Sequence, residues 1–243
     1  MTDVTPPPAP PGTPYWEDFI DLFTSPSAVF ARRKDDPNFF IPLLVVTVVV
    51  GLIMYGTKDL MQPIFDAEVA RGMAIAQKQN PSLTEAQMEA GKGFARVAAT
   101  FGGFIIIPIA ISLVGIITFL AGKIVQASTT FGQAMMIGAY AYVPKIIGAI
   151  LAAVQAAVMD PGSLNSQFTI QVGPARFFDI ATTSLATMTL MGRLEFFTLW
   201  STVLIAIGLK VTGKLDTTKA ALGGFLVWLI ASLYPMWAAI RAG

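Results

Sequence analysis

Residues 101–122 read FGGFIIIPIAISLVGIITFLAG, a run of 22 positions without one charged side chain. About 20 such residues, wound as an α-helix, cover the ~30 Å hydrocarbon core of a bilayer. Inside that core no water is available to the backbone, so a lone segment must satisfy its own N–H and C=O groups, which a helix does. No strand signal of any strength occurs elsewhere in the chain. Further apolar blocks lie at about 39–55, 131–159, 194–209 and 220–239. The expected fold is therefore all-α: a polytopic bundle of five transmembrane helices with its termini on opposite sides. Pro42 falls in the opening turn of the first block, where its missing N–H does little harm. Thr130 and Gln133 make a capping box ahead of the third. The fourth is short, and the weakly apolar stretch 180–191 either extends it or packs beside it.

Composition agrees. Of 243 residues 54% are apolar and 13% charged, with a mean hydropathy of +0.65, against about 25% charged residues in an ordinary soluble domain. The net charge of +1 offers no cationic excess to neutralise phosphates, so no nucleic-acid partner is expected. Cysteine and histidine are both absent, which removes thiol nucleophiles, disulfides, imidazole acid–base chemistry and the usual zinc and haem ligands. No spacing of carboxylates suggests a metal and no glycine-rich phosphate loop is present. No catalytic residue, metal or cofactor is expected, and the chain does not read as an enzyme.

Outside the apolar blocks, residues 1–14 carry six prolines and read as a disordered tail; residues 15–243 form the membrane domain. Trp16, Phe19, Ile20 and Phe23 recur at helical spacing while Glu17, Asp18 and Asp21 fall elsewhere, predicting an amphipathic helix with an acidic polar face. Ser25-Pro26 then offers an N-cap and a first-turn proline for a second short helix carrying Val29 and Phe30. Between the first two spans, Ile64, Phe65, Val69 and Met73 keep helical spacing up to Asn80-Pro81. Ser82 and Glu85 restart a helix as a capping box, so an extramembrane helical hairpin is expected. Lys and Arg are dense at 32–34, at Lys123, and at Lys210, Lys214 and Lys219, all on one side of a five-span chain. The positive-inside rule places that side, with the N-terminus, in the cytoplasm and the C-terminus outside.

Lys145, in AYAYVPKIIGAI, is the formal charge nearest the middle of an apolar span. A lysine at the centre of a span costs about 2.5–3.5 kcal/mol on insertion scales, which makes it a candidate site. Either it lines a polar route with Tyr140 and Glu195, or it stabilises a kink at Pro144 by donating to freed carbonyls. Its acidic partner would be Glu195 or Asp179. Downstream, Gly148, Ala152 and Ala156 place a small residue at every fourth position, a face suited to close helix packing.

The ordered landmarks resemble one family. Residues 23–30, FTSPSAVF, with Ser25, Pro26 and Phe30, precede the first span. FGQ at 131–133 leads to Tyr140 and Pro144, and LEFFTLW at 194–200, ending on Trp200, leads to Gly208. In this order they are similar to the Yip-one (Ypt/Rab-interacting protein) domain family, and the brevity of the N-terminal region is that of its bacterial members. The resemblance implies a five-helix membrane bundle with a cytosolic N-terminus, located here in a bacterial cytoplasmic (inner) membrane. Eukaryotic members are implicated in vesicle traffic with small GTPases. For this chain the expected role is a non-enzymatic membrane organiser or scaffold, with the lipid bilayer and other membrane proteins or further copies of itself as partners. The alternative is a small transporter or channel with a polar route around Lys145.

Overall fold

In the computed structural model residues 14–242 are described; all of the expected tail but Pro14 lies outside them. The helices are α1 (Tyr15–Thr24), α2 (Pro26–Arg33), α3 (Phe40–Gly56), α4 (Gln62–Gln79), α5 (Glu85–Ile124), α6 (Phe131–Ala141), α7 (Pro144–Val158), α8 (Leu185–Arg193), α9 (Phe196–Gly213) and α10 (Thr217–Ala242). Single 3-10 turns occur at Pro161–Ser163, Gln167–Ile170 and Pro174–Phe177, and no strand occurs among the described residues. Four helical stretches are long and apolar enough to cross a membrane: α5, α6 continued by α7, α9 and α10. The first expected span, α3, is apolar but has 17 residues, about 25 Å of helix.

Local sequence explains most of the boundaries. Thr130 caps α6, accepting the Gln133 N–H while the Gln133 side chain accepts the Thr130 N–H. The restart before α5 differs from the expected one. Ser82 donates its hydroxyl to Asn80 Oδ1 at 2.6 Å, so it belongs to the Asn80-Pro81 turn. The capping exchange is made two residues later by Thr84 and Gln87. At Ser25 the side chain makes no cap hydrogen bond; the residue closes α1 through its backbone, and Pro26 begins α2. The third apolar block is interrupted at Tyr142–Val143. Pro144 then starts α7 at the position where a missing N–H is harmless.

The chain divides into two compact units. The first comprises the residues up to Val45, Ile109–Val143 and Trp200–Ala231; the second comprises Val46–Pro108, Pro144–Leu199 and Ser232 onward. In the first unit α5 and α6 meet backbone to backbone. A methyl group on Gly138 would come within 2.8 Å of Gly115 N and 2.9 Å of its Cα. Gly208 is similarly covered by Ile137, and the hydroxyls of Thr129 and Thr212 bond each other at 2.9 Å in the interior. Small residues thus let apolar helices approach closely without a large side chain in between.

In the second unit α4 is tied to the connection after α7. Glu68 accepts the Ser166 hydroxyl and the Gln167 N–H, and Arg71 donates to the Asn165 carbonyl. Ile64, Ala156 and Leu164 form a small core beneath these bonds, and Phe168, Ala175 and Met188 form another in the loop region before α9.

Two glycines give opposite expectations. Gly138→Ala should destabilise the protein by about 2 kcal/mol, the cost of forcing an extra methyl into a close-packed contact. Gly72→Ala, on α4 with open space around it, should stabilise it by about 0.5–1 kcal/mol through helix propensity. Thermal unfolding in detergent checks both signs.

Candidate functional site

Two polar clusters interrupt the apolar interior, one in each unit. In the second unit, Lys145 is the second residue of α7, directly after the proline that starts it. Its Nζ donates to Glu195 Oε2 at 2.9 Å and to Thr198 Oγ1 at 2.6 Å. Glu195 immediately precedes α9 and serves its first turn: Oε1 accepts the Phe197 N–H at 3.0 Å, and Oε2 accepts the Thr198 N–H and hydroxyl, each at 2.8 Å. A carboxylate here satisfies otherwise orphaned amides and meets the positive end of the helix dipole. The backbone at 172–173 closes over it. Phe196 N–H donates to the Val172 carbonyl at 2.9 Å, and Gly173 lies so close to Glu195 that a methyl there would sit 2.9 Å from its Cα. Glu195 is consequently buried, while Lys145 remains half-buried beside a groove of about 230 Å³.

Of the two acidic partners considered for Lys145, the structure selects Glu195; Asp179 accepts the Ala181 N–H within its own turn. Gly148 packs against the Phe197 ring, at 3.0 Å from a notional methyl, Ala156 enters the core with Ile64 and Leu164, and Ala152 lines the groove.

Tyr140, expected beside Lys145, belongs instead to the first unit. It is fully buried and its hydroxyl donates to Asp18 Oδ2 at 2.6 Å. Asp18, read from the sequence as part of the acidic polar face of α1, is also fully buried. It accepts Arg32 Nη1 at 2.8 Å on one oxygen and Arg33 Nε at 2.7 Å on the other. Arg32 reaches Asp21 as well, at 2.7 Å, and the Arg33 guanidinium stacks 3.9 Å above the Tyr15 ring. Burial works against the Arg32 charge, but Asp21 and Asp18 outweigh it and hold its pKa above the ordinary arginine value. The expected apolar face of α1 divides accordingly. The Phe19 ring lies 6.2 Å from Tyr140 and the Phe23 ring 5.5 Å from Trp200, whereas Trp16 and Ile20 are exposed.

Several residues of the family-like motifs meet around this cluster: Phe30 edge-on to Tyr140 at 6.3 Å, Trp200 against Phe23, and Gly208 under Ile137. Pro26 and Pro144 each open a helix. Sequence reasoning missed the role of Asp18. The available signal was two arginines 14 and 15 positions on, across a short turn that folds α2 back on α1.

The double duty of Glu195 sets an order of severity. Glu195→Ala removes a cap and leaves an ammonium unpaired, and should cost about 3 kcal/mol or more. Lys145→Met leaves the carboxylate held by two amides and a hydroxyl, and should cost about 1 kcal/mol. Unfolding midpoints of the two variants in the same detergent test the ranking; equal losses, or a larger loss in Lys145→Met, contradict it.

The sequence model of the Yip1 domain matches residues 20–239. The chain is similar to the membrane protein YknW of Bacillus subtilis (strain 168), 22% identical over 222 residues that cover 90% of this chain and 88% of that protein. No solved structure matches it. With a match over nearly its whole length and helices apolar enough to cross a bilayer, the chain is a membrane protein belonging to the Yip1 domain family.

Proposed function

We propose that the chain is a non-enzymatic scaffold of a bacterial cytoplasmic membrane, organising the bilayer or gathering other membrane proteins through helix and lipid contacts. It crosses five times, with α3 as a short first span and α5, the α6–α7 pair, α9 and α10 as the others. The N-terminal helices are cytoplasmic and the C-terminus is outside. The distribution of positive charge supports this topology. With five crossings, the connections holding Arg32, Arg33, Lys34, Lys123, Lys210, Lys214 and Lys219 all fall on one side, and the lysine-rich and arginine-rich side is the cytoplasmic one.

The observation that carries the scaffold role is that apolar side chains remain exposed on every one of these helices, among them Leu52 on α3, Ile105 on α5, Val154 on α7, Val203 on α9 and Leu233 on α10. Such faces find partners in lipid tails or neighbouring helices. Trp16 and Ile20, exposed on α1, suit the interface between headgroups and water. A small transporter is the second reading, favoured by the groove that reaches Lys145. Against it, Tyr140 and Lys145 are held by separate partners, Asp18 and Glu195.

Extraction in mild detergent, followed by light scattering and lipid analysis of the purified fraction, should find the chain associated with phospholipid, with further copies or with another membrane protein. A strict monomer without bound lipid contradicts the scaffold role. Reconstituted liposomes should show no solute flux dependent on Lys145; a flux that Lys145→Met abolishes would favour transport.

A further inference from the structure

Beyond the end of α3, a cleft of about 230 Å³ opens between the connection that begins at Lys58 and the helix α5. Its walls are two helical rows. Gln62, Phe65 and Asp66 stand at i, i+3 and i+4 on α4, and Arg96, Ala99 and Thr100 keep the same spacing on α5. Ala99 contributes only a methyl group to its wall, which leaves the space open. Two pairs of opposite charges line the cleft, and they behave differently. Lys58 donates to both carboxylate oxygens of Asp59, at 2.9 and 3.0 Å, so that pair is self-contained. Arg96 and Asp66 share the cleft without bonding each other, and neither side chain has a hydrogen-bond or ion-pair partner among the described residues. An unmatched guanidinium and an unmatched carboxylate in one cavity complement a ligand that carries both an anion and a cation.

The level of the cleft along the helices says which ligand that is. Arg96 lies five residues before Phe101, where the uncharged run 101–122 begins, a rise of about 7.5 Å along the helix. The headgroup layer on each side of the hydrocarbon core is about 5–8 Å thick, so Arg96 reaches phosphate height. At the foot of the cleft the Tyr55 and Phe101 rings lie 6.1 Å apart, both exposed, and further along the same helices Leu52 and Ile105 are exposed as well. Aromatic rings at the boundary and aliphatic side chains beyond them follow the order of a membrane interface. We propose that the cleft binds the headgroup of an ethanolamine phospholipid in the outer leaflet. The Arg96 guanidinium donates to the phosphate oxygens, the ethanolamine ammonium donates to the Asp66 carboxylate, and the acyl chains descend past Tyr55 and Phe101 along Leu52 and Ile105 toward the middle of the bilayer. A glycerol headgroup gives Arg96 its phosphate but brings no cation to Asp66, and choline brings a cation without an N–H. The site rests on the five-span topology proposed above, which places this connection outside.

The test is native mass spectrometry of the full chain from nanodiscs holding equal amounts of phosphatidylethanolamine, phosphatidylglycerol and phosphatidylcholine. The wild-type chain should retain one ethanolamine lipid about tenfold over either of the others, as one charge-assisted hydrogen bond allows. Asp66 and Arg96 are exposed, so Asp66→Asn and Arg96→Gln should keep the wild-type unfolding midpoint in detergent. Asp66→Asn should nevertheless erase the preference among the three lipids, and Arg96→Gln should lose retention of all of them. Free phosphoethanolamine at millimolar concentration, which offers both charges without acyl chains, should not displace the lipid. Equal retention of the three lipids by the wild type, a preference that survives Asp66→Asn, or displacement by free phosphoethanolamine would each overturn the site. The topology is read separately. In this cysteine-free chain, Glu85→Cys at the start of α5, outside the cleft, should keep the lipid preference and react with a membrane-impermeant maleimide added to intact spheroplasts. Failure to react contradicts the outward placement of the connection, whereas labelling without any lipid preference contradicts the headgroup site alone.

Discussion

A carboxylate with no exposed surface holds the N-terminal region in place. Asp18 is an expensive group to remove from water, and it is tolerated because both oxygens are filled: Arg32 on one, Arg33 and the Tyr140 hydroxyl on the other. The acid and its partners come from three helices. α1 supplies the acid, α2 the guanidinium groups and α6 the phenol, so satisfying one side chain fixes the two N-terminal helices on the membrane-type part of the same unit. The aromatic contacts of Phe19, Phe23 and Phe30 then fall into register around Tyr140 and Trp200. Their burial adds the non-directional part of the stabilisation; the direction comes from Asp18.

The second cluster solves the same problem differently. Glu195 is buried at the N-terminus of α9, where two backbone amides need acceptors and the helix dipole favours negative charge. Lys145 completes the pair but is not the sole support of the carboxylate. That asymmetry leaves the lysine partly available beside an open groove. The first cluster is thus closed around Asp18, and the second keeps one half-buried member.

Much of the fold was legible from hydropathy and capping. Long apolar runs marked the helices, Thr130 and Gln133 marked the start of α6, and Pro144 marked the break in the third run. The errors have local causes. Ser82-Leu-Thr-Glu85 and Thr84-Glu-Ala-Gln87 both fit the capping-box pattern, and only the side-chain bond of Ser82 to Asn80 decides for the second. The polar constellation was half legible. The pair Lys145–Glu195 follows from the rule that an intramembrane charge seeks a partner. Tyr140, five residues before Lys145, was assigned to the wrong cluster because the break at Tyr142–Val143 lies between them. Asp18 was missed because helical periodicity on α1 alone assigns it to the polar face; its burial depends on residues 14 to 122 positions away.

Asp18 acts as a hub whose contacts with Tyr140 and the arginines are interdependent. A double-mutant cycle of Asp18→Asn and Tyr140→Phe, read as unfolding free energy in a fixed detergent, tests it directly. Interdependence predicts that the double variant is little worse than Asp18→Asn alone, with a coupling of about 1–3 kcal/mol. Losses that add to within about 0.5 kcal/mol, as independent sites do, would contradict it.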